Sequence, residues 1–398
     1  MPEAVIVDAV RTPIGRAAKG SLKSMRADEL AAIPLKALLE RNPFLAEPNA
    51  VGDVMMGCGY GEGEQGYNVA RIASLIAGLD FSVPGTTVNR FCASSLQTIR
   101  MAFHAIKAGE GDTYISAGVE AVSRAGRGSA FEFNPKVDGS EGSICNVYIP
   151  MGMTAENVAE ERGVSREAQD EWALISQTRA VAAVESGHFD KEIVPVTVPA
   201  HKDVDKEGNE IEVPETVVTK DDGPRPGTTL EKLAALRPVF KEDGTVTAGN
   251  ACPLNDGAAA VLVMSEEKAA ERGLAPRARI IASTVAAIRP EIMGVGPIPA
   301  IKQLLENTKM SIDDIDVVEI NEAFAAQIVP CKKELGIEDE QLNPFGGAIA
   351  LGHPFGMTGA RIMTTLLNNL DTKGGKYGIE SMCVAGGMGM AMLVERLA

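Results

Sequence analysis

Dense basic runs, paired cysteines and long apolar stretches are all missing from this chain. With no basic run against a formal net charge of −16, nucleic acid is disfavoured as a partner, because binding there rests on neutralising phosphates. The six cysteines (58, 92, 145, 252, 331 and 383) stand singly, with no CxxC pair. In 398 residues that reads as reduced thiols in a reducing compartment. No apolar run approaches the roughly 18 residues of a membrane span. The N-terminus begins as a strand rather than a signal segment, and the C-terminal Arg-Leu-Ala is no peroxisomal address, so a cytoplasmic location is expected. No His, Cys, Asp and Glu set has metal-ligand spacing. Aromatics make up only 4%, against 41 glycines and 16 methionines, a mix suited to tight turns and adaptable apolar surfaces.

Strand and helix patterns alternate from the start. Ala4–Val10, Asp53–Gly59, Thr86–Asn89 and Thr113–Val119 read as strands. Asp28–Arg41 and Tyr67–Leu79 read as helices. This rhythm predicts an α/β fold with a mostly parallel, helix-covered sheet. From about Ala121 glycines and turn residues crowd together. Helices follow over Thr154–Arg162 and Ser165–Ser186, the second capped by Ser165. Extended pieces then flank a charged turn, Lys202–Glu210. This stretch reads as an inserted cover. The alternation resumes near Thr247 and runs to strands at Tyr377–Val384 and Met390–Val394. The order strand, special loop, helix, glycine-punctuated strand occurs around Cys92 and again around His353. That suggests two similar halves.

Cys92 ends a β-branched run, and the helical face Leu96, Ile99, Phe103 and Ile106 begins just after it. A helix N-terminus favours thiolate over thiol there, although a small buried cysteine would fit the same position. Gly57-Cys58-Gly59-Tyr60-Gly61 invites a dinucleotide reading. It is GxGxG rather than GxGxxG, and Glu62 and Glu64 would face the phosphates, so it is expected to be a flexible connector. His353 lies between Gly352 and Pro354, a setting that limits imidazole freedom. Cys383 precedes Ala385-Gly386-Gly387, where backbone N–H groups can approach a ligand. Asn321 opens Asn321-Glu322-Ala323-Phe324 and suits an N-cap.

Together these segments resemble the thiolase family over essentially the whole length. The carriers are Asn89-Arg90-Phe91-Cys92-Ala93-Ser94, Asn321–Phe324, Gly346–Pro354 and the Cys383 turn, with Thr247–Asn250 and Asn255–Ala258. The resemblance implies two mixed-sheet α/β halves in αβαβα layers with an inserted loop domain. The units would be 1–121 with 252–274, 122–251, and 275–398. It implies reversible thiolysis of 3-ketoacyl-CoA through an acyl-cysteine. Acetoacetyl-CoA synthesis is the alternative within the family, and a non-catalytic CoA- or lipid-binding relative the alternative outside it. By the same resemblance Cys92 is the nucleophile, His353 the base and Cys383 the acid/base. Asn321 would hold an oxyanion-hole water, and Ala385 would donate its N–H where the family usually has glycine. An alanine resists positive φ. Arg225, Cys252 and Met151 would meet coenzyme A, which is a substrate; no cofactor is implied. Ile149-Pro150-Met151-Gly152, rather than His before Met-Gly, leans towards the degradative enzymes. A homodimer or homotetramer is a further implication.

Overall fold

Strands in this chain meet edge to edge at one narrow seam. The computed structural model describes residues 1–125, 132–204 and 208–397. The main sheet runs, in order, Val317–Ile320, Tyr377–Val384, Met388–Arg396, Ala278–Ala287, Ala4–Arg11, Asn255–Ser265, Thr113–Ala121, Asp53–Gly57 and Gly85–Val88. Ala4–Arg11 and Ala278–Ala287 join only through Val5 with Arg279 and Ile6 with Ala278. Each side of that seam has one plan. The strands beside the seam pair antiparallel and the outer ones parallel. The mostly parallel sheet read from the alternation is therefore corrected to a mixed one. Asn255–Ser265, returning from the insertion, enters beside Ala4–Arg11 and runs against it.

Helices fill three layers around the two half-sheets. Ala27–Arg41 and Val69–Ala77 pack outside the N-terminal half. Pro297–Thr308 and Ala325–Leu335 pack outside the C-terminal half. Between the halves lie Ser94–Ala108 and Thr358–Lys373, which touch each other and share one core. Thr358 to Leu370 are all buried although many are polar, because both half-sheets cover this helix. Thr and Asn side chains there bond internally, whereas Arg361 Nε and Nη1 have no hydrogen-bond partner among the described residues. Thr365 and Asn368 donate to Glu192, and Asn369 donates to Glu319 while its oxygen meets His188 Nε2 at 2.8 Å.

The insertion carries Met151–Arg162 and Arg166–Glu185. Ser165 caps the second, its Oγ accepting from Ala168 N at 3.2 Å. Val196–Val198 pairs with Thr216–Val218. Where a charged turn was expected, His201–Val204 and Glu210–Val213 form an antiparallel hairpin; residues 205–207 of that turn lie outside the described residues. Alternating charges there mask the period-2 pattern.

Glu319 and Glu380 face each other in register on parallel strands, both buried. Burial pushes Glu319 up to about 8, with nearby Arg361 opposing the shift. The unfolded chain releases this proton near 4.5 and the folded chain near 8, so stability falls as pH rises through that window and the loss is complete above it. Glu319→Gln keeps an oxygen to accept from Asn369. It is expected to raise Tm by about 2–4 °C at pH 9 and to leave it unchanged at pH 4, as thermal melts at the two pH values would show.

Candidate active site

The Cys92 turn is held by its own motif. Phe91, Cys92 and Ala93 form a single 3-10 turn before the helix Ser94–Ala108. Phe91 sits at φ +44°, a strained value for a bulky residue. Asn89 compensates, accepting from Phe91 N at 2.7 Å and donating to Gly59 O at 2.9 Å. Ser94 Oγ donates to Phe91 O and accepts from Arg90 N. So Asn89 and Ser94 of the motif serve the backbone and leave the Cys92 thiol free to act.

Burial first, then the neighbouring Cys383 thiol, push the Cys92 thiol well above its ordinary value. Hydrogen bonds from the N–H groups of Ala385 and of Cys92 itself pull the other way. The thiolate expected from the helix terminus is thus corrected to a thiol. A helix end supplies partial charges only, and a dry site penalises the anion more. The two converging N–H groups are what an oxyanion requires.

Cys383 ends the strand Tyr377–Val384, which packs against the Cys92 turn. Its thiol donates to Gln327 Oε1 at 3.3 Å and is pushed up to about 12 by burial. The hairpin that follows turns on Gly386 and Gly387, at φ +79° and +81°. Ala385 is not in the left-handed region, so alanine fits there without strain.

His353 is buried, its backbone N–H donating to Asn255 Oδ1 at 2.9 Å. That bond explains the Asn255–Ala258 segment. Gly352 takes φ +110°, and a Cβ there would come within 2.7 Å of Ile14 and 2.8 Å of Asn255. Nδ1 meets Thr358 Oγ1 at 2.6 Å. Because that hydroxyl donates to Pro354 O at 2.7 Å, it accepts from the ring. The proton is therefore on Nδ1, and Nε2 carries a lone pair. Asn321 Nδ2 lies 3.3 Å from Nε2. Burial, with Arg361 second, pulls His353 down to about 3 and keeps it neutral.

Asn321 is not an N-cap. The following helix starts at Ala325, with Phe324 at its cap position. Asn321 is buried, and its Oδ1 has no hydrogen-bond partner among the described residues. Glu322 anchors the insertion to the His353 loop. It accepts from Trp172 Nε1 at 3.0 Å, Ser176 Oγ at 2.6 Å, Asn343 Nδ2 at 2.8 Å and Ile349 N at 3.2 Å.

A cleft of about 290 Å³ reaches from Arg225, Arg16 and Lys19 at one end to Ala251, Cys252 and Leu254. Arg225 and Arg16 repel one another, and neither has a carboxylate within 4 Å among the described residues. Met151 does not line this cleft. It packs with Cys252 and Cys383 in one apolar cluster. Sequence reading missed Gln327, Thr358, Arg16 and Lys19. Nothing in their spacing marks them, since each gains its role only from what it faces.

The matches to known proteins agree along the whole chain. Residues 4–267 match the thiolase N-terminal domain and residues 274–396 the thiolase C-terminal domain. A beta-ketoadipyl-CoA thiolase of Acinetobacter baylyi is 49% identical, with 100% of each chain covered. A 3-ketoacyl-CoA thiolase of Aliivibrio fischeri is 45% identical over 100% of each. Among solved structures, the Bacillus anthracis acetyl-CoA acetyltransferase superposes with a TM-score of 0.89 at 41% identity, covering 100% of this chain and 99% of the other. Human mitochondrial 3-ketoacyl-CoA thiolase gives 0.87 at 37%, with the same coverage. With two thiols, a neutral imidazole and aimed N–H groups brought to the join of two matching half-sheets, this chain belongs to the thiolase family.

Proposed function

We propose that the chain works in the degradative direction, cleaving 3-ketoacyl-CoA with coenzyme A to acetyl-CoA and a shortened acyl-CoA. The observation that carries this reading is the Cys92 thiol, set between two N–H donors and beside a second thiol, Cys383. His353 Nε2 takes the Cys92 proton, and the sulfur attacks the keto carbon. The oxyanion forms against His353, now a donor, and a water held by the free Asn321 Oδ1. The carbon–carbon bond breaks towards the acetyl-CoA enolate, which takes its proton from the Cys383 S–H. Burial raises the Cys383 thiol, so its proton is in place at rest for transfer to the far more basic enolate carbon. The His353 proton then passes to the Cys383 thiolate, which leaves the imidazole neutral. Coenzyme A gives its thiol proton to that imidazole and its sulfur to the acyl group, and the proton goes to the Cys92 sulfur as the thioester breaks. The tetrahedral oxyanion of that step meets the N–H groups of Cys92 and Ala385.

Coenzyme A enters along the Arg225 cleft, where the unpaired cations suit its phosphates and Cys252 and Met151 lie deeper, towards Cys383. It is a substrate, and the chemistry calls for no other cofactor. Among the described residues no helix is long and apolar enough to cross a membrane, in keeping with a cytoplasmic role. Tyr67, Phe81 and Phe91 are exposed around the edge strand Gly85–Val88, which supports a homodimer or homotetramer.

The likeness to an acetyl-CoA acetyltransferase favours a second reading, synthesis of acetoacetyl-CoA. Thiolysis rates with acetoacetyl-CoA, a medium-chain 3-ketoacyl-CoA and 3-ketoadipyl-CoA separate the two. The degradative reading expects a higher kcat/KM for one of the longer substrates. Turnover of acetoacetyl-CoA alone would replace it with the second.

A further inference from the structure

We infer that Glu120 is a positioning residue that sets the Cys92 turn and the His353 loop against each other. The inference rests on the acyl-transfer reading above. Glu120 is buried at the end of the strand Thr113–Ala121, on the N-terminal side of the join. Its carboxylate accepts from Gly59 N at 2.8 Å, Tyr60 N at 3.1 Å, Gln65 Nε2 at 2.9 Å and Gly356 N at 2.8 Å. Gly356 belongs to the other half. It lies three residues past His353.

Two routes leave this carboxylate. One passes through Gly59, whose carbonyl takes the Asn89 amide, and Asn89 holds the strained Phe91 beside Cys92. The other passes through Gly356 to the His353 loop. A second brace runs in parallel through rings. Tyr60 meets Phe355 edge-on at 5.5 Å, and Phe355 meets His353 edge-on at 5.1 Å. The glycines of this region are contact points rather than hinges. A Cβ on Gly59 would lie 2.8 Å from Glu120 Oε2, and one on Gly356 2.3 Å from Val119 O. The connector expected at Gly57–Gly63 is therefore pinned at Gly59 and Tyr60, while a Cβ on Gly61 would meet nothing within 4 Å.

Every donor around Glu120 points at it and none needs a proton from it. A glutamine keeps the shape but turns an NH2 group against backbone N–H groups, loosening one route. Small misplacement of reacting groups lowers turnover far more than binding.

The test compares wild type, Glu120→Gln and Tyr60→Leu by steady-state thiolysis, KM for coenzyme A, single-turnover acylation of Cys92 and thermal melts. Glu120→Gln is expected to lose about 10²-fold in kcat and in acylation rate, with KM for coenzyme A changed less than about threefold. Tyr60→Leu, at a half-exposed ring, is expected to lose about tenfold in kcat with Tm unchanged. If Glu120→Gln does not fold, Tyr60→Leu decides. Folded variants with wild-type kcat overturn the inference, as does a parallel fall of kcat, KM and Tm that marks a merely structural role. Wild-type enzyme that forms no acyl-Cys92 overturns the acyl-transfer reading and this inference with it. Wild-type turnover beside unimpaired variants overturns the inference alone.

Discussion

Cys92→Ala is expected to lower thiolysis by at least about 10⁴-fold while the protein stays folded. The argument is local. The turn is built by Asn89, Ser94 and the glycines around Gly59, not by the sulfur. Removing the sulfur takes away the atom on which the two N–H groups of Cys92 and Ala385 converge. On the proposed route coenzyme A lies in the Arg225 cleft, so its affinity is expected to change little. Intact-mass measurement after brief exposure to 3-ketoacyl-CoA should find an acyl adduct on wild type and none on the variant. A variant that still turns over, or an adduct that maps to Cys383 or Cys252, would remove Cys92 from the mechanism.

His353→Ala is expected to cost about 10³-fold in kcat, within the range for a positioned general base. It carries a second signature. Burial and Arg361 hold the folded imidazole at about 3, against 6.5 in the unfolded chain. The folded pKa is the lower one. Stability is therefore full above pH 6.5 and is lost as pH falls towards 3, because the unfolded chain takes up the proton first. Urea unfolding at pH 7.5 and pH 5.0 should show a larger loss for wild type than for His353→Ala. Equal losses would mean that the ring is not held neutral. The same shift predicts that His353 itself adds no acid limb to the kcat/KM profile above about pH 4.

Much of the site could be read before any coordinates. Cys92, His353, Cys383 and Asn321 stand in motifs whose neighbours have unusual backbone needs, and such needs show as glycine, proline and asparagine in fixed order. Gly352 at φ +110° and Gly386 at φ +79° are examples. Helix ends were legible where a cap exists, as at Ser165. They were misread where a polar residue serves something else. Asn321 looked like a cap because caps are its commonest local use, yet its amide is turned on His353.

What sequence alone indicated is the candidate residues and the plan: a cysteine where a strand meets a helix, a histidine between glycine and proline, a second thiol before a glycine turn, and an α/β rhythm interrupted by an insertion. These are written in residue type and local period, which depend on near neighbours along the chain. Only the tertiary structure decided the rest. Whether Cys92 rests as thiol or thiolate depends on burial and on Cys383, 291 positions away by numbering. Which nitrogen of His353 is free depends on Thr358 and Pro354 folding back beneath it. That the sheet is mixed follows from where the strand after the insertion enters. That Gly59 and Tyr60 are held follows from Glu120, a residue with no local sign of such a role. The His353 tautomer is set by a local turn that only the folded backbone closes, and the others by groups distant in sequence, brought together when two half-sheets close on a shared pair of helices.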